Sequence, residues 1–147
     1  MKVVHILKVS AMLIALTNSA FIYAGETEIT WGNTDKFYDV EPTSGNSKNY
    51  LKTVKKSFDS KFNSLGIRLP EGYFFKVHIN NLDLAGKVEI VALSKGKKYR
   101  SVTNMYFPMI NLDYKVINEA GTVVLEQKNV TIKDVNYLSN TLKIGSS

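Results

Sequence analysis

Five apolar residues, Leu51, Val54, Phe58, Phe62 and Leu65, recur at spacings of three and four. That spacing draws one stripe down an α-helix, and such a stripe has to be covered. It predicts a helix over 48–65. Lys48, Lys52, Lys55, Lys56, Asp59 and Lys61 fall largely off the stripe. Asn46 or Ser47 can cap the start, and Gly66 suits the left-handed position past the end. The lysine-rich back either faces an anion or is simply solvated.

The covering surface is written downstream, where the period changes to two. After Pro70-Glu71-Gly72, residues Tyr73, Phe75, Val77 and Ile79 point one way, and Lys76, His78 and Asn80 the other, with Phe74 the exception. This is the alternation of a half-buried strand. Past Asn80-Asn81 the apolar residues move to even positions: Leu82, Leu84, Val88 and Ile90. A shift of one in a period of two turns every side chain over. One extra residue at Asn80-Asn81, a β-bulge, restores the facing; a strand end with a turn is the rival account. Further strands are expected at 26–31, from Tyr99 to Asn104, from Ile110 to Val116 and from Thr122 to Ile132. Pro108 places its strand at an edge or at a bulge. The stretch "NEAG", 118–121, reads as a hairpin turn, and 133–142 as a short final helix capped by Asp134. Ahead of the helix runs a polar loop, "GNTDKFYDVEPTSGNSKN", long enough that a functional or surface role is expected of 32–47. One helix, four or five strands and short turns predict a two-layer α+β domain. Its antiparallel sheet would carry the helix on one face and leave the other partly open.

Lys2 and Lys8, an uncharged and mostly apolar run from Val9 to Ile22, and Ala24 ahead of Gly25-Glu26 predict a secretory signal peptide over 1–24, cleaved after Ala24. The rival is a membrane anchor. Its uncharged run of about 17 residues sits at the lower limit for spanning and contains Ser10, Thr17, Asn18 and Ser19. Cleavage of the 147-residue chain leaves one domain, 25–147, of 123 residues, which suffices for a single core. There is no cysteine, so neither disulfides nor an amino-terminal lipid on cysteine is available. A periplasmic location follows as the expectation, and nucleic acid is excluded as a partner by that address. Loss of Lys2 and Lys8 lowers the formal charge from +6 to +4, a mild excess that favours acidic partners.

No standard catalytic motif is present. No G-x-S-x-G surrounds any serine, and there is no H-E-x-x-H, glycine-rich phosphate loop or cysteine cluster. No cofactor and no metal is expected; Asn81-x-Asp83 offers two oxygen ligands without the rest of a calcium loop. His78, the one histidine after the leader, lies on the polar side of its strand. The carboxylates to weigh are Asp35, Asp39, Glu41, Asp83, Asp113 and Asp134, since general acid–base work needs two carboxyls in different environments. Asp83 otherwise serves a turn or bulge by bonding local backbone. Arg100 follows a run of lysines, and an arginine there suits a two-pronged bond to a carboxylate, with Asp83 or Asp134 as partner. Lys95, Lys97, Lys98 and Arg100 together form a basic turn able to bind anions or merely to keep an edge soluble.

Several stretches, "WGNTDKFYDV", "INNLDLAG", "YFPMINLDYKVINEAGTVV" and "IKDVNYL", resemble domain-of-unknown-function family 3016, a family of small secreted bacterial proteins. The resemblance covers roughly 27–138. It implies significance for Asp39, for Asp83 with Leu84, Ala85 and Gly86, for Arg100, and for Asp134 with Tyr137. Where that family commonly has an arginine after the proline, this chain has Met109, which removes a second arginine from any shared mechanism. The resemblance implies no activity. The expectation is therefore a non-enzymatic periplasmic protein that binds an envelope protein or anionic glycan through the open sheet face and the 32–47 loop. Alternatives are a hydrolase of envelope glycans using Asp83 with Asp39 or Asp134, and a protein binding lipopolysaccharide or peptidoglycan through the 95–100 turn.

Overall fold

The computed structural model describes residues 25–91 and 96–139. The expected leader, Lys95 of the basic turn and the end of the expected last helix lie outside the described residues. Along the chain come β1 (Glu26–Trp31), a 3₁₀ turn (Thr34–Lys36), α1 (Ser47–Gly66) and β2 (Phe74–Asp83). β3 (Lys87–Ile90), β4 (Lys98–Ser101), β5 (Met109–Ile117) and β6 (Val123–Lys133) follow. Residues 137–139 are helical, and Asp134 Oδ1 accepts from Asn136 N at 3.0 Å just before them.

The domain is broadly α+β, with one main helix and a mostly antiparallel sheet. Four strands lie in the order β1-β2-β5-β6. The pairs β2–β5 and β5–β6 are antiparallel, but β1 runs parallel to β2, so the all-antiparallel sheet expected from sequence is corrected to a mixed one. The cause is α1, which stands between these two strands in the chain. A helix returns the chain to the end where β1 began, and β2 must then set out in the same direction. β3 and β4 pair only with each other, as a separate two-stranded antiparallel sheet. The strand expected from Tyr99 to Asn104 is β4, and it lies there rather than in the main sheet.

The core lies between α1 and the sheet. Ile29, Val77 and Tyr114 stand in one row across three strands, and Trp31, Ile79 and Leu112 in the next. Val77, Ile79 and Leu112 are buried, and Phe62, Phe75 and Trp31 pack against them. Full burial of such a side chain contributes about 1.5–3 kcal/mol. Trp31 meets Phe58 edge-on at 6.3 Å between ring centres, and Phe62 meets Phe75 at 6.4 Å. Leu65, expected in the stripe, is 49% exposed.

Asn46 caps α1, its side chain accepting from Asn49 N at 3.1 Å. Gly66 differs from expectation. It is the last helical residue, and Ile67 follows in right-handed geometry. A Cβ on Gly66 would stand 1.8 Å from Thr27 Oγ1, so glycine is required for the approach of the helix to β1.

Asn80 is the bulge. Ile79 pairs with Leu112 and Asn81 with Asn111, leaving Asn80 without an opposite number, and Leu82 rejoins Val77 and Ile79 among the buried residues. β2 runs on through the asparagines to Asp83, and a turn follows six residues after Asn80. Gly86 has φ +79, and a Cβ there would meet Ser101 O of β4 at 2.6 Å, so the chain turns out of the main sheet where only glycine fits. A second bulge lies on the other side of β5. Leu112 pairs with Val130 and Tyr114 with Gln127, so Asp113 faces two residues, and Asn129 takes φ +54. Asp113 Oδ1 accepts from Asn129 N at 2.7 Å and from Asn80 Nδ2 at 2.9 Å, which ties the two bulges together across β5. Pro108 immediately precedes β5, a central strand, so the edge or bulge expected for it is corrected. Before the first strand residue no ladder donor is needed from the proline, and its carbonyl accepts from Asp134 N at 3.2 Å.

Candidate functional site

The loop between β1 and α1 is held by one arginine. Arg100 projects from β4. Its Nη1 donates to Asp39 Oδ2 at 2.6 Å and to the carbonyls of Ala85 and Gly86 at 3.1 and 3.4 Å; its Nη2 donates to the carbonyls of Asp39 and Glu41 at 3.1 and 2.9 Å. Only the planar fork of arginine serves so many acceptors at once. The second Asp39 oxygen, Oδ1, accepts from Val88 N at 3.0 Å. Asp39 sits at φ +50, a conformation held against its local preference by these bonds. The Asp39 side chain is 7% exposed and that of Arg100 18%. The carboxylate expected to meet Arg100 was Asp83 or Asp134; Asp39 takes that place.

Lys98 of the basic turn is spent in the same way. Lys98 Nζ lies 2.6 Å from Glu41 Oε2, and the neighbouring Tyr99 hydroxyl donates to Glu89 at 2.5 Å. Hence Lys98 and Arg100 each face a carboxylate of their own chain. Lys97 is exposed, and its carbonyl accepts from Val91 N at 2.9 Å.

Asp83 ends β2 beside this clamp, and its backbone forms a parallel bridge with Tyr38 of the loop. Burial pushes the Asp83 carboxyl above the usual carboxylate range, and the nearby Asp39 charge pushes it further; Arg100 and Lys133 partly oppose both. Among the described residues no hydrogen bond reaches this carboxylate. It borders a hollow of about 170 Å³ floored by Phe58, Leu82, Leu84 and Ile110, with Asp134 also on its border. Met109, at the position where the family resemblance implies an arginine, lines the same hollow. Tyr137 is buried, and its hydroxyl donates to Thr103 O at 2.6 Å. Asp39 and Arg100 therefore meet directly, Asp83 and Asp134 share a hollow, and Asp39 links the two groups through its charge on Asp83.

The open face of the sheet is furnished differently. Glu28 pairs with Lys76, Thr30 Oγ1 and His78 Nδ1 share a hydrogen bond of 2.8 Å, and Asn111 Nδ2 donates to Thr131 Oγ1 at 2.8 Å. Asp113 is held below its usual range by the Asn129 amide first and the Asn80 side chain second. This face holds a shallow hollow of about 360 Å³ whose lining includes His78 and Asp113. Its side chains are largely matched with each other. Among the described residues no group of three or more His, Cys, Asp or Glu is placed to hold a metal, and no helix is long and apolar enough to cross a membrane.

Sequence reasoning named Asp39, Asp83, Arg100 and Asp134 and missed Tyr38, Val88 and Lys133. Their parts are played by backbone atoms or by long-range charge, and neither leaves a trace in residue type. A family model described as "Protein of unknown function (DUF3016)" matches residues 25–147. Among curated proteins and solved structures, none matches the chain.

Proposed function

The chain belongs to the DUF3016 family, and on that footing we propose a non-enzymatic binding module for another component of the cell envelope, working in the periplasm after loss of residues 1–24. The observation that carries this reading is the apolar hollow bordered by Asp83 and Asp134 beside a rigidly clamped loop. An apolar floor supplies affinity, and a few placed polar groups supply orientation. Asp83 has no hydrogen-bond partner among the described residues and a raised carboxyl, so it gains most from a ligand that brings a donor or a cation. The open sheet face, with its side chains matched to each other, is the weaker half of the expected surface. A photoreactive residue placed at Met109 should yield a discrete crosslinked adduct in cells, and one placed at Glu119, at the far end of β5, should not. Equal adducts at both positions, or none at Met109, would remove this reading.

A second reading keeps Asp83 and Asp134 as the carboxyl pair of a hydrolase acting on envelope glycans. The raised Asp83 carboxyl is what a general acid requires. Asp39 is less suited, since both of its oxygens are already bonded. Release of reducing ends from peptidoglycan by the purified protein, lost in Asp83→Asn, would favour it. The third reading, an anion site at Lys95, Lys97, Lys98 and Arg100, is weakened by the pairing of Lys98 with Glu41 and of Arg100 with Asp39.

A further inference from the structure

A cluster of cations without ion pairs among the described residues lies elsewhere. Lys48, Lys52, Lys55 and Lys56 follow one another down a single flank of α1 and line a groove of about 550 Å³ shared with β1. None of the four makes an ion pair among the described residues, whereas Lys76, Lys98, Arg100 and Lys128 each do. The one acid on this flank, Asp59, accepts from Trp31 Nε1 at 3.1 Å. Lys55 Nζ stands 5.1 Å from the centre of the Trp31 ring. The floor is apolar: Ile29, Trp31 and Leu51.

The groove also borders unused backbone. No residue of β2, β5 or β6 lines it, which puts it on the outer side of β1. Among the described strands β1 pairs with β2 alone. The amides of Glu26 and Gly32 point to β2, donating to Tyr73 O and Ile79 O at 2.9 Å each. Successive residues of a strand alternate in the direction of their N–H and C=O groups. Ile29 and Trp31 therefore present theirs outward, toward the groove. The start of the edge is already closed, because Gly25 N donates to Leu69 O at 3.2 Å.

We propose that this groove receives an extended acidic segment of a partner protein, added as a further strand on β1. Main-chain bonds to Ile29 and Trp31 would supply the docking, and the groove the selection, as in other cases of strand addition. The strand geometry dictates the partner's pattern. Alternate side chains of an added strand face α1, and the others face the open side. On the open side they would meet Thr30 and a Glu28 already paired with Lys76, so no free cation waits there for an acid. Acidic and apolar residues must therefore share the positions facing α1, with small neutral residues between them. An anionic lipid headgroup would satisfy the lysines and leave the outward amides unused, so the free edge favours the peptide. The inference goes beyond the hollow at Asp83 and does not depend on its ligand.

The test uses a fluorescein-labelled octapeptide, TLTETLTE, and two controls, TLTKTLTK and TSTETSTE, in anisotropy titrations against the folded protein. TLTETLTE should bind saturably, both controls should bind about tenfold more weakly or worse, and the double variant Lys52→Glu/Lys56→Glu should lose about tenfold or more. Both lysines are exposed, and circular dichroism checks that the variant stays folded. Amide NMR shifts should centre on 29–31. Equal binding of TLTKTLTK, an unchanged affinity in the folded double variant, or shifts centred away from β1 would overturn the proposal. So would binding of phosphatidylglycerol vesicles that TLTETLTE fails to displace. A lost crosslink at Met109 would count against the hollow alone and leave these outcomes standing.

Discussion

Arg100 Nη1 and Asp39 Oδ2 stand 2.6 Å apart across 61 residues of chain, and around that contact a loop, a turn and a two-stranded sheet become one body. Removing one partner of such a buried pair leaves the other charged and unmatched. Arg100→Ala should cost about 3–5 kcal/mol in urea unfolding. Arg100→Lys keeps the charge and loses the fork, and should cost about 1–3 kcal/mol. Adding Asp39→Asn to Arg100→Ala should cost less than the two changes separately, since the pair acts as a unit.

Asp83 should behave in the opposite sense, as a carboxylate the fold would rather have neutral. Its carboxyl is raised by burial first and by Asp39 second. A raised folded-state value means the group favours the folded state most below its unfolded value of about 3.9, and that contribution is lost as pH rises through the folded value. Asp83→Asn should therefore raise Tm at pH 7, on the order of 1–3 °C. The gain should fade as pH is lowered below the unfolded value of about 3.9, since the raised carboxyl of the wild type takes up its proton before that point. A variant more stable yet unable to form the Met109 crosslink would mark Asp83 as retained for binding at the expense of stability.

Asp113 has the reverse sign. Its carboxylate is lowered by the Asn129 amide, then by Asn80. The stabilisation is complete above the unfolded value of about 3.9 and is lost as pH falls through the lower folded value. Asp113→Asn should lower Tm at pH 7 and match the wild type in strong acid. Thermal unfolding followed by circular dichroism across that range checks both ends.

Gly66→Ala tests the contact between α1 and β1. The new methyl would meet Thr27 Oγ1 at 1.8 Å, and overpacking of this kind costs about 1–3 kcal/mol. Among the described residues Thr27 Oγ1 is itself buried without a hydrogen-bond partner. Thr27→Ala should thus be well tolerated and should recover most of the loss when combined with Gly66→Ala. Denaturant midpoints of the four proteins in this cycle decide it.

The helix was legible because burial on one side leaves a stripe, and the Asn80 bulge because an odd-to-even change in a half-buried strand needs either one extra residue or a turn. The bulge at Asn129 was not. β6 is exposed along nearly its whole length, with Val123, Val124 and Leu125 all open to solvent, so it carries no alternation for a bulge to interrupt. The direction of β1 was hidden too. A six-residue strand bears no mark of its partner's orientation, and only the helix that follows implies a return crossover. At the site, the residue types of Asp39, Asp83, Arg100 and Asp134 singled them out, but their pairing depends on neighbours brought together by the whole fold. Lys98 and Lys52 look alike as residues; Glu41 neutralises one, and no described acid neutralises the other.

The parallel pairing of β1 with β2 also orders events in time. β5 and β6 are joined by a tight turn, closed by Asn118 and Thr122 at 2.9 Å, and need little chain entropy to meet. β1 can reach β2 only after the loop and α1 have been threaded between them, so its contacts are the most distant in the sheet to collect. β1 is therefore expected to lock after the β5–β6 hairpin. In pulsed hydrogen exchange during refolding, amides of β5 and β6 should gain protection before those of β1. The same ranking would make β1 a late addition at the margin of an already formed sheet.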